Sequence, residues 1–328
     1  MKLPQQESIF SIVNEVQFLE QALQIFQFQA ENCAVYKSYL ANLKIYPQEI
    51  KTLEEIPFLP IEFFKSHAVA SNFQHPEVTF TSSGTTGTFT SRHLVSDVSW
   101  YKNSFRSGFR QFYGDVKSYA FLALLPSYLE RSGSSLIYMV EDLIVETDNS
   151  DSGFYLYNDE DLLEKLNLLQ QKKQPTILIG VTFALLDFIE KHQLNFPELI
   201  IMETGGMKGR RKEMIREELH ETLCKGFGVP AIHSEYGMTE LLSQAYSLGE
   251  GLFNCVPWMK ILIRDTNDPF TILPNGKTGG INVIDLANIN SCSFIATQDL
   301  GKIHPNKMFE VLGRFDFSDI RGCNLLVG

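Results

Sequence analysis

The chain has 328 residues, 44% of them apolar, enough for a sizeable core and for about two domains or one large α/β unit. Its 28 basic and 39 acidic side chains leave a net charge of −11, which argues against binding nucleic acid by phosphate neutralisation; the basic run Lys208-Gly209-Arg210-Arg211-Lys212 is followed by Glu213, Glu217, Glu218 and Glu221 and reads as a solvated helix face. The cysteines, at 33, 224, 255, 292 and 323, are odd in number and show no Cys-x-x-Cys or close Cys/His spacing, so neither a disulfide scaffold nor a zinc site is encoded and reduced thiols in the cytoplasm are expected.

The first seven residues lack the apolar core of a secretory signal. Ile9, Ile12, Val13, Val16, Leu19, Leu23 and Phe26 recur at helical spacing and predict one amphipathic helix packed on the body. Pro57 and Pro60 then interrupt regular structure, and a short strand is expected over 78–80. Beyond it, strand-like runs at 119–125, 177–181 and 199–202 alternate with helical segments at 97–112, 159–171 and 211–225, the pattern of a layered α/β sheet. The longest apolar stretch, 177–189, carries Gly180, Thr182 and Asp187 and is too short to cross a bilayer; no transmembrane segment is expected. After Tyr246 the pattern changes to short strands at 259–264, 280–285 and 293–297, separated by Gly, Pro and Asn turns. Two regions are expected on this basis, an α/β nucleotide- and acyl-binding region over 1–246 and a smaller β-rich subdomain over 247–328.

Directly after the 78–80 strand lies Thr81-Ser82-Ser83-Gly84-Thr85-Thr86-Gly87. Its hydroxyls and backbone N–H groups can surround an anion, and its two glycines permit positive φ and close approach. No Gly-Lys-Ser/Thr follows, so it is not a Walker loop. By composition alone it reads equally well as a polar surface turn.

Further segments follow in order: Gly205-Gly206 behind the 199–202 strand, Tyr236-Gly237-Met238-Thr239-Glu240, Thr297-Gln298-Asp299-Leu300-Gly301, and Gly313-Arg314-Phe315-Asp316 leading to Arg321-Gly322-Cys323-Asn324. With the loop, they resemble the adenylate-forming superfamily of acyl-CoA synthetases and related ligases. The resemblance implies ATP held by residues 81–87, with adenine stacked on Tyr236 and the glycines at 205, 206 and 237 letting backbone approach it. It implies Mg²⁺ on Glu240, a phosphate contact from Thr239, ribose hydroxyls on Asp299 and a nucleotide contact from Arg314. The family's loop commonly continues Pro-Lys, whereas here Thr88-Phe89-Thr90-Ser91-Arg92 follows Gly87; Arg92 is the candidate for the missing charge.

Within that superfamily the chain resembles the acyl-protein synthetases of bacterial bioluminescence, the long-chain-fatty-acid luciferin-component ligases. The likeness lies in Pro57-Phe58-Leu59-Pro60-Ile61-Glu62-Phe63-Phe64-Lys65, in the 82–87 loop, in Leu125-Pro126-Ser127-Tyr128-Leu129-Glu130-Arg131-Ser132-Gly133-Ser134-Ser135-Leu136 and in the 321–324 segment. It implies a layered α/β domain of the adenylate-forming type whose mobile C-terminal domain, with its catalytic lysine, is absent, Asp316 standing at the hinge position. Arg92, Lys208, Lys302 or a partner protein are the candidates to replace that lysine. It further implies that a fatty or aryl acid becomes acyl-AMP and passes to Cys323 before a reductase or carrier protein accepts it. A thiolate suits capture of a mixed anhydride near neutral pH. The other cysteines are assigned to packing. Two alternatives stand beside this reading, an acyl-CoA or aryl-CoA ligase of the phenylacetate type and a degenerate ATP- or acyl-binding module acting with a partner.

Overall fold

The computed structural model describes residues 4–71, 75–82, 90–126, 133–156, 158–205 and 214–315. Helix α1 (Gln6–Phe10) ends at Ser11, and α2 (Glu15–Asn32) starts behind Asn14, whose side chain accepts a hydrogen bond from the backbone N–H of Gln17. The single helix expected over residues 9–26 is therefore two, because a cap residue inside the apolar pattern starts a new helix. Val13 and Val16 fall at the break and are 80% and 67% exposed. Helix α2 buries Phe18, Ala22, Ile25 and Phe26, followed by α3 (Ala34–Asn42).

Strand β1 (Leu59–Pro60) and helix α4 (Phe63–Ser66) lead to a hairpin of β2 (Val78–Thr81) and β3 (Arg92–Val95). Then α5 (Ser99–Tyr113), β4 (Ala120–Leu124), α6 (Ser135–Thr147), the short β5 (Gly153–Tyr155), α7 (Asp159–Gln171), β6 (Thr176–Val181), α8 (Thr182–Lys191), β7 (Ile200–Thr204), α9 (Arg216–Phe227) and β8 (Ile232–Tyr236) alternate as expected. The β-rich remainder comprises β9 (Ala245–Ser247), β10 (Phe253–Cys255), β11 (Met259–Arg264), β12 (Thr278–Asp285), β13 (Phe294–Ile303) and β14 (Phe309–Arg314). The apolar stretch at 177–189 is strand β6 running into helix α8, and no helix among the described residues is long and apolar enough to cross a membrane.

All of these strands except β2 and β3, which form a sheet of their own, join in one sheet, in the order β11-β12-β13-β14-β10-β9-β8-β7-β6-β4-β5, with β1 alongside β13. From β5 to β8 neighbouring strands are parallel; from β8 to β11 they are antiparallel. Strands β4 and β6 are buried at every position, as expected for parallel strands covered on both faces. Their carboxyl ends, with those of β7 and β8, open onto one edge, where ligands bind in open α/β sheets.

The 240s segment behind β8 is fastened to the end of β12 through Asp285, which is fully buried. Its carboxylate accepts hydrogen bonds from the backbone N–H groups of Leu242 (2.7 Å), Ser243 (2.9 Å) and Ala287 (3.1 Å) and from the Ser243 hydroxyl (2.5 Å). Asp285→Ala is expected to leave these donors unpaired and cost on the order of 3 kcal/mol. The measurement is a urea titration, in which the midpoint should fall while the slope stays constant.

Candidate active site

Thr81 and Ser82, the first two residues of the Ser/Thr/Gly segment, stand at the end of β2 in the β2–β3 hairpin, and this end of the hairpin is well tied. Thr81 pairs with Arg92 in the hairpin register. Just beyond, the N–H of Ser82 donates to the carbonyl of Ser91 at 3.1 Å and the N–H of Ser91 donates to the Ser82 hydroxyl at 2.9 Å. The hairpin docks on the loop after β4 through the N–H of Thr81, which donates to the carbonyl of Gly133 at 2.8 Å. Gly133 has φ +87°, and a Cβ there would lie 2.9 Å from the Thr81 hydroxyl, so only glycine fits this junction. Arg92 is exposed on β3. Ser83, Gly84, Thr85, Thr86 and Gly87 lie outside the described residues.

From the hairpin, His93 reaches back to the segment after β8. The buried ring places Nδ1 2.9 Å from the carbonyl of Thr239 and Nε2 3.0 Å from Asn288 Oδ1. The Asn288 amide in turn donates to the carbonyls of Glu240 (2.8 Å) and Cys292 (3.0 Å). Burial pushes the His93 pKa down to about 4, against the opposing pull of those two oxygens; the ring is neutral at pH 7 and has one N–H for the two acceptors it faces. Asn288 is held in turn by α2: the buried Gln29 amide donates to the carbonyls of Asn288 and Ile289 at 3.0 Å each.

Glu240 thus stands on a backbone gripped from two sides. Glu240 is 5% exposed, and the Ser91 side chain is near enough to favour its charged form. Burial pushes its pKa up, opposed by Ser91 and by the positive charges of Arg314 and Lys65. A recessed carboxylate next to a hydroxyl-rich loop suits Mg²⁺, which commonly takes one or two carboxylates with substrate phosphate oxygens and water as the other ligands. Among the described residues no group of three or more His, Cys, Asp or Glu side chains could form a cage by themselves, so Glu240 would hold the ion jointly with the nucleotide. Thr239 is half-buried and Gly237 exposed at the start of this segment.

The second half of the site lies across β8, β13 and β14. The Tyr236 hydroxyl donates to Asp299 Oδ2 at 2.9 Å, and Arg314 Nε donates to Asp299 Oδ1 at 3.2 Å. Asp299 is buried, whereas the Arg314 side chain is 77% exposed. Tyr236 packs edge-on against Phe253 and Phe309, which stack on each other at 5.4 Å. The tyrosine therefore sits in a fixed orientation with its polar end on the carboxylate. Gly205, with φ +70°, lies exposed at the end of β7, its carbonyl accepting from the Thr182 hydroxyl at 2.8 Å.

The structure brings Thr81, Ser82, Thr239, Glu240 and the Tyr236–Asp299–Arg314 cluster to one edge of the sheet. Gly206, Lys208, Asp316 and Cys323 lie outside the described residues. Lys302 forms an ion pair with Glu310 at 3.1 Å. His93, Asn288 and Lys65 were not singled out from sequence. Only the short interval between Ser91 and His93 pointed to the histidine, and nothing local marked Asn288.

One further carboxyl group lies at this edge. Glu235 is 9% exposed on β8 and accepts from the Thr204 hydroxyl at 2.6 Å. Burial pushes its pKa up to about 7, opposed by that hydrogen bond and reinforced by the charge of Glu203.

No protein-family model matches the sequence, and no curated protein does. Solved structures do. A 2-hydroxyisobutyryl-CoA ligase in complex with 2-HIB-AMP and CoA superposes with a TM-score of 0.69 at 13% identity, over 96% of this chain and 73% of that one. ATP-bound MatB from Rhodopseudomonas palustris superposes with a TM-score of 0.56 at 17% identity, over 74% of this chain and 49% of that one. The chain therefore spans about half the length of the MatB structure. At these identities the likeness is one of fold: the described sheet and its helices have the layered α/β architecture of adenylate-forming ligases.

Two outcomes are expected at this site. His93→Leu removes the buried polar ring between Thr239 and Asn288 and should destabilise the protein by about 1–3 kcal/mol, with proteolysis entering first at the β2–β3 hairpin, as mapped by mass spectrometry. For Glu235 the folded pKa is raised from 4.5 to about 7, so its protonated form contributes stability that is full below pH 4.5 and lost as pH rises through 7. Glu235→Gln lacks this loss and should gain on the wild type by on the order of 2–3 kcal/mol between pH 5 and pH 8, measured by denaturant titration at both values.

Proposed function

We propose that the protein activates a carboxylic acid with ATP and then passes the acyl group to a protein thiol. The observation that carries this reading is the convergence of the Ser/Thr/Gly hairpin, Glu240 and the Tyr236–Asp299–Arg314 cluster on one sheet edge, in a fold shared with ATP-bound MatB and a ligase bound to an acyl-AMP. In the first step the substrate carboxylate attacks the α-phosphorus of ATP, the bond to pyrophosphate breaks, and acyl-AMP forms. Positioning does most of this chemistry.

Loop residues 81–87 would surround the phosphates, Tyr236 and the glycines at 205, 206 and 237 the adenine, and Asp299 and Arg314 the ribose side. Thr239 would face the phosphate being attacked. Mg²⁺, when bound beside Glu240, supplies charge stabilisation for the phosphates; Glu240 itself holds that position because its backbone carbonyl is clamped by Asn288. Arg92 would supply positive charge at the phosphates, which the 81–87 segment itself lacks. In the second step the Cys323 thiolate attacks the acyl carbonyl, AMP leaves, and a reductase or carrier accepts the acyl group. The fatty or aryl nature of the acid and the protein thiol rest on the sequence resemblance alone.

A second reading has a specific observation in its favour: the ligase of TM-score 0.69 was solved with CoA. There CoA would replace Cys323 as the attacking thiol.

Incubation with ATP, Mg²⁺ and a panel of radiolabelled fatty and aryl acids tests both. Acid-dependent exchange of pyrophosphate into ATP is expected, and Glu240→Gln should slow it about 100-fold. Absence of exchange with every acid would overturn the activity. Covalent label on the wild type that disappears in Cys323→Ser supports the protein thioester; label that persists refutes it, and acyl-CoA formation on adding CoA favours the second reading.

A further inference from the structure

The nucleotide-side carboxylate, Asp299, stands on an irregular piece of strand. Along the β12–β13 ladder Gly280 pairs with Leu300 and Asn282 pairs with Ala296, so residues 297–299 of β13 lie opposite Ile281 alone. A bulge of this kind re-aims side chains, and it also takes backbone groups out of the ladder. Here the carbonyls of Ile281 and Thr297 face inward, where an unmade hydrogen bond is costly.

Arg264, on the neighbouring strand β11, fills that gap. Its Nη1 donates to the carbonyl of Ile281 at 2.7 Å and to Asn282 Oδ1 at 2.8 Å, and its Nη2 donates to the carbonyl of Thr297 at 2.5 Å. The Thr297 hydroxyl also donates to Ile281 and accepts from the N–H of Asp299 at 3.1 Å. The guanidinium lies 5.5 Å from the ring centre of Phe315, the residue after Arg314, whose N–H donates to the carbonyl of Gln298. Both partners of the Asp299–Arg314 ion pair are therefore flanked by groups that Arg264 touches.

The place is shaped for a guanidinium. A Cβ on Gly280 would lie 2.5 Å from the Arg264 guanidinium carbon, so the glycine makes the room. Asn282 turns its oxygen toward Arg264, which can only donate, and leaves its own Nδ2 without a hydrogen-bond partner. Arg264 is 9% exposed and its bonds go to neutral oxygens; Asp299 and Glu62 act on it only at longer range. A desolvated cation with an orphaned amide beside it is an expensive way to close a bulge. An apolar residue packed on a regular ladder would be cheaper, but it would not put Asp299 where it is.

We propose that Arg264 is a positioning residue for the nucleotide ribose: it plugs the β13 bulge so that Asp299 is presented toward Tyr236, Arg314 and a vicinal diol. This rests on the reading of Asp299 as the ribose acceptor given above. A planar fork that bridges two carbonyls and an amide oxygen suits this task, and a lysine ammonium does so poorly.

The test compares ATP, 2′,3′-dideoxy-ATP and inorganic tripolyphosphate by calorimetry on the full chain. The wild type should bind ATP about tenfold or more tightly than the dideoxy nucleotide. In Arg264→Gln that preference should fall below about threefold while the tripolyphosphate affinity stays unchanged, a pattern that general destabilisation would not produce. If Arg264→Gln does not fold, Gly280→Ala, which keeps the arginine and displaces its guanidinium, should show the same selective loss. A variant that folds and keeps the wild-type preference overturns the role of Arg264 alone. A wild type that binds tripolyphosphate but does not distinguish the two nucleotides overturns the ribose reading of Asp299, and this inference falls with it.

Discussion

The geometry of the site depends on one short piece of irregular backbone, residues 239–243, being held from both sides. The His93 ring stands against the carbonyl of Thr239 and Asn288 donates to that of Glu240, while Asp285 takes the N–H groups of Leu242 and Ser243. These groups lie in the interior, where neither water nor a regular ladder can serve them, so each hydrogen bond is worth more and each omission costs more than at the surface. The outcome is that a buried carboxylate, Glu240, is carried on a rigid loop and faces the Ser/Thr/Gly hairpin. Because His93 belongs to that hairpin, the same contact that steadies the 239–240 backbone also ties it to strand β3.

The Asp299 side of the site solves a related problem by a different device. There the strand itself is broken by a bulge, and the backbone groups that the bulge releases are taken up by the Arg264 guanidinium. On both sides a local departure from regular structure places a functional carboxylate, and a buried polar side chain from a distant part of the chain satisfies the backbone it frees. The two halves meet at β8, where Tyr236 links to Asp299 and the following residues lead to Glu240. That strand is also the point at which the sheet changes from parallel to antiparallel pairing, so the site sits where the two kinds of strand join.

Much of this architecture was legible locally. The runs at 177–181 and 259–264 are strands at nearly those positions, and the helix expected at 159–171 is α7, because apolar periodicity reports the face that must be buried. The N-terminal helix was misread for an equally local reason: apolar spacing continued through Asn14, whose capping preference outweighed it. Of the candidate site, Thr81, Ser82, Tyr236, Thr239, Glu240, Asp299 and Arg314 were singled out from ordered motifs. His93, Asn288, Asp285 and Arg264 were not, since each acts on a segment between 17 and 195 residues away and carries no motif of its own.

The sequence by itself determined the alternation of strands and helices and the residue types available for an anion and a nucleotide. These follow from periodicity and side-chain chemistry, which are properties of neighbours along the chain. Only the tertiary structure decided that Tyr236, Asp299 and Arg314 form one hydrogen-bonded cluster, that Glu240 is buried beside Ser91, and that buried polar groups from α2, β3, β11 and β12 hold these pieces in place. The reason is that a freed backbone carbonyl or N–H must find a partner in space, and which partner it finds depends on how the sheet closes, not on the residues beside it.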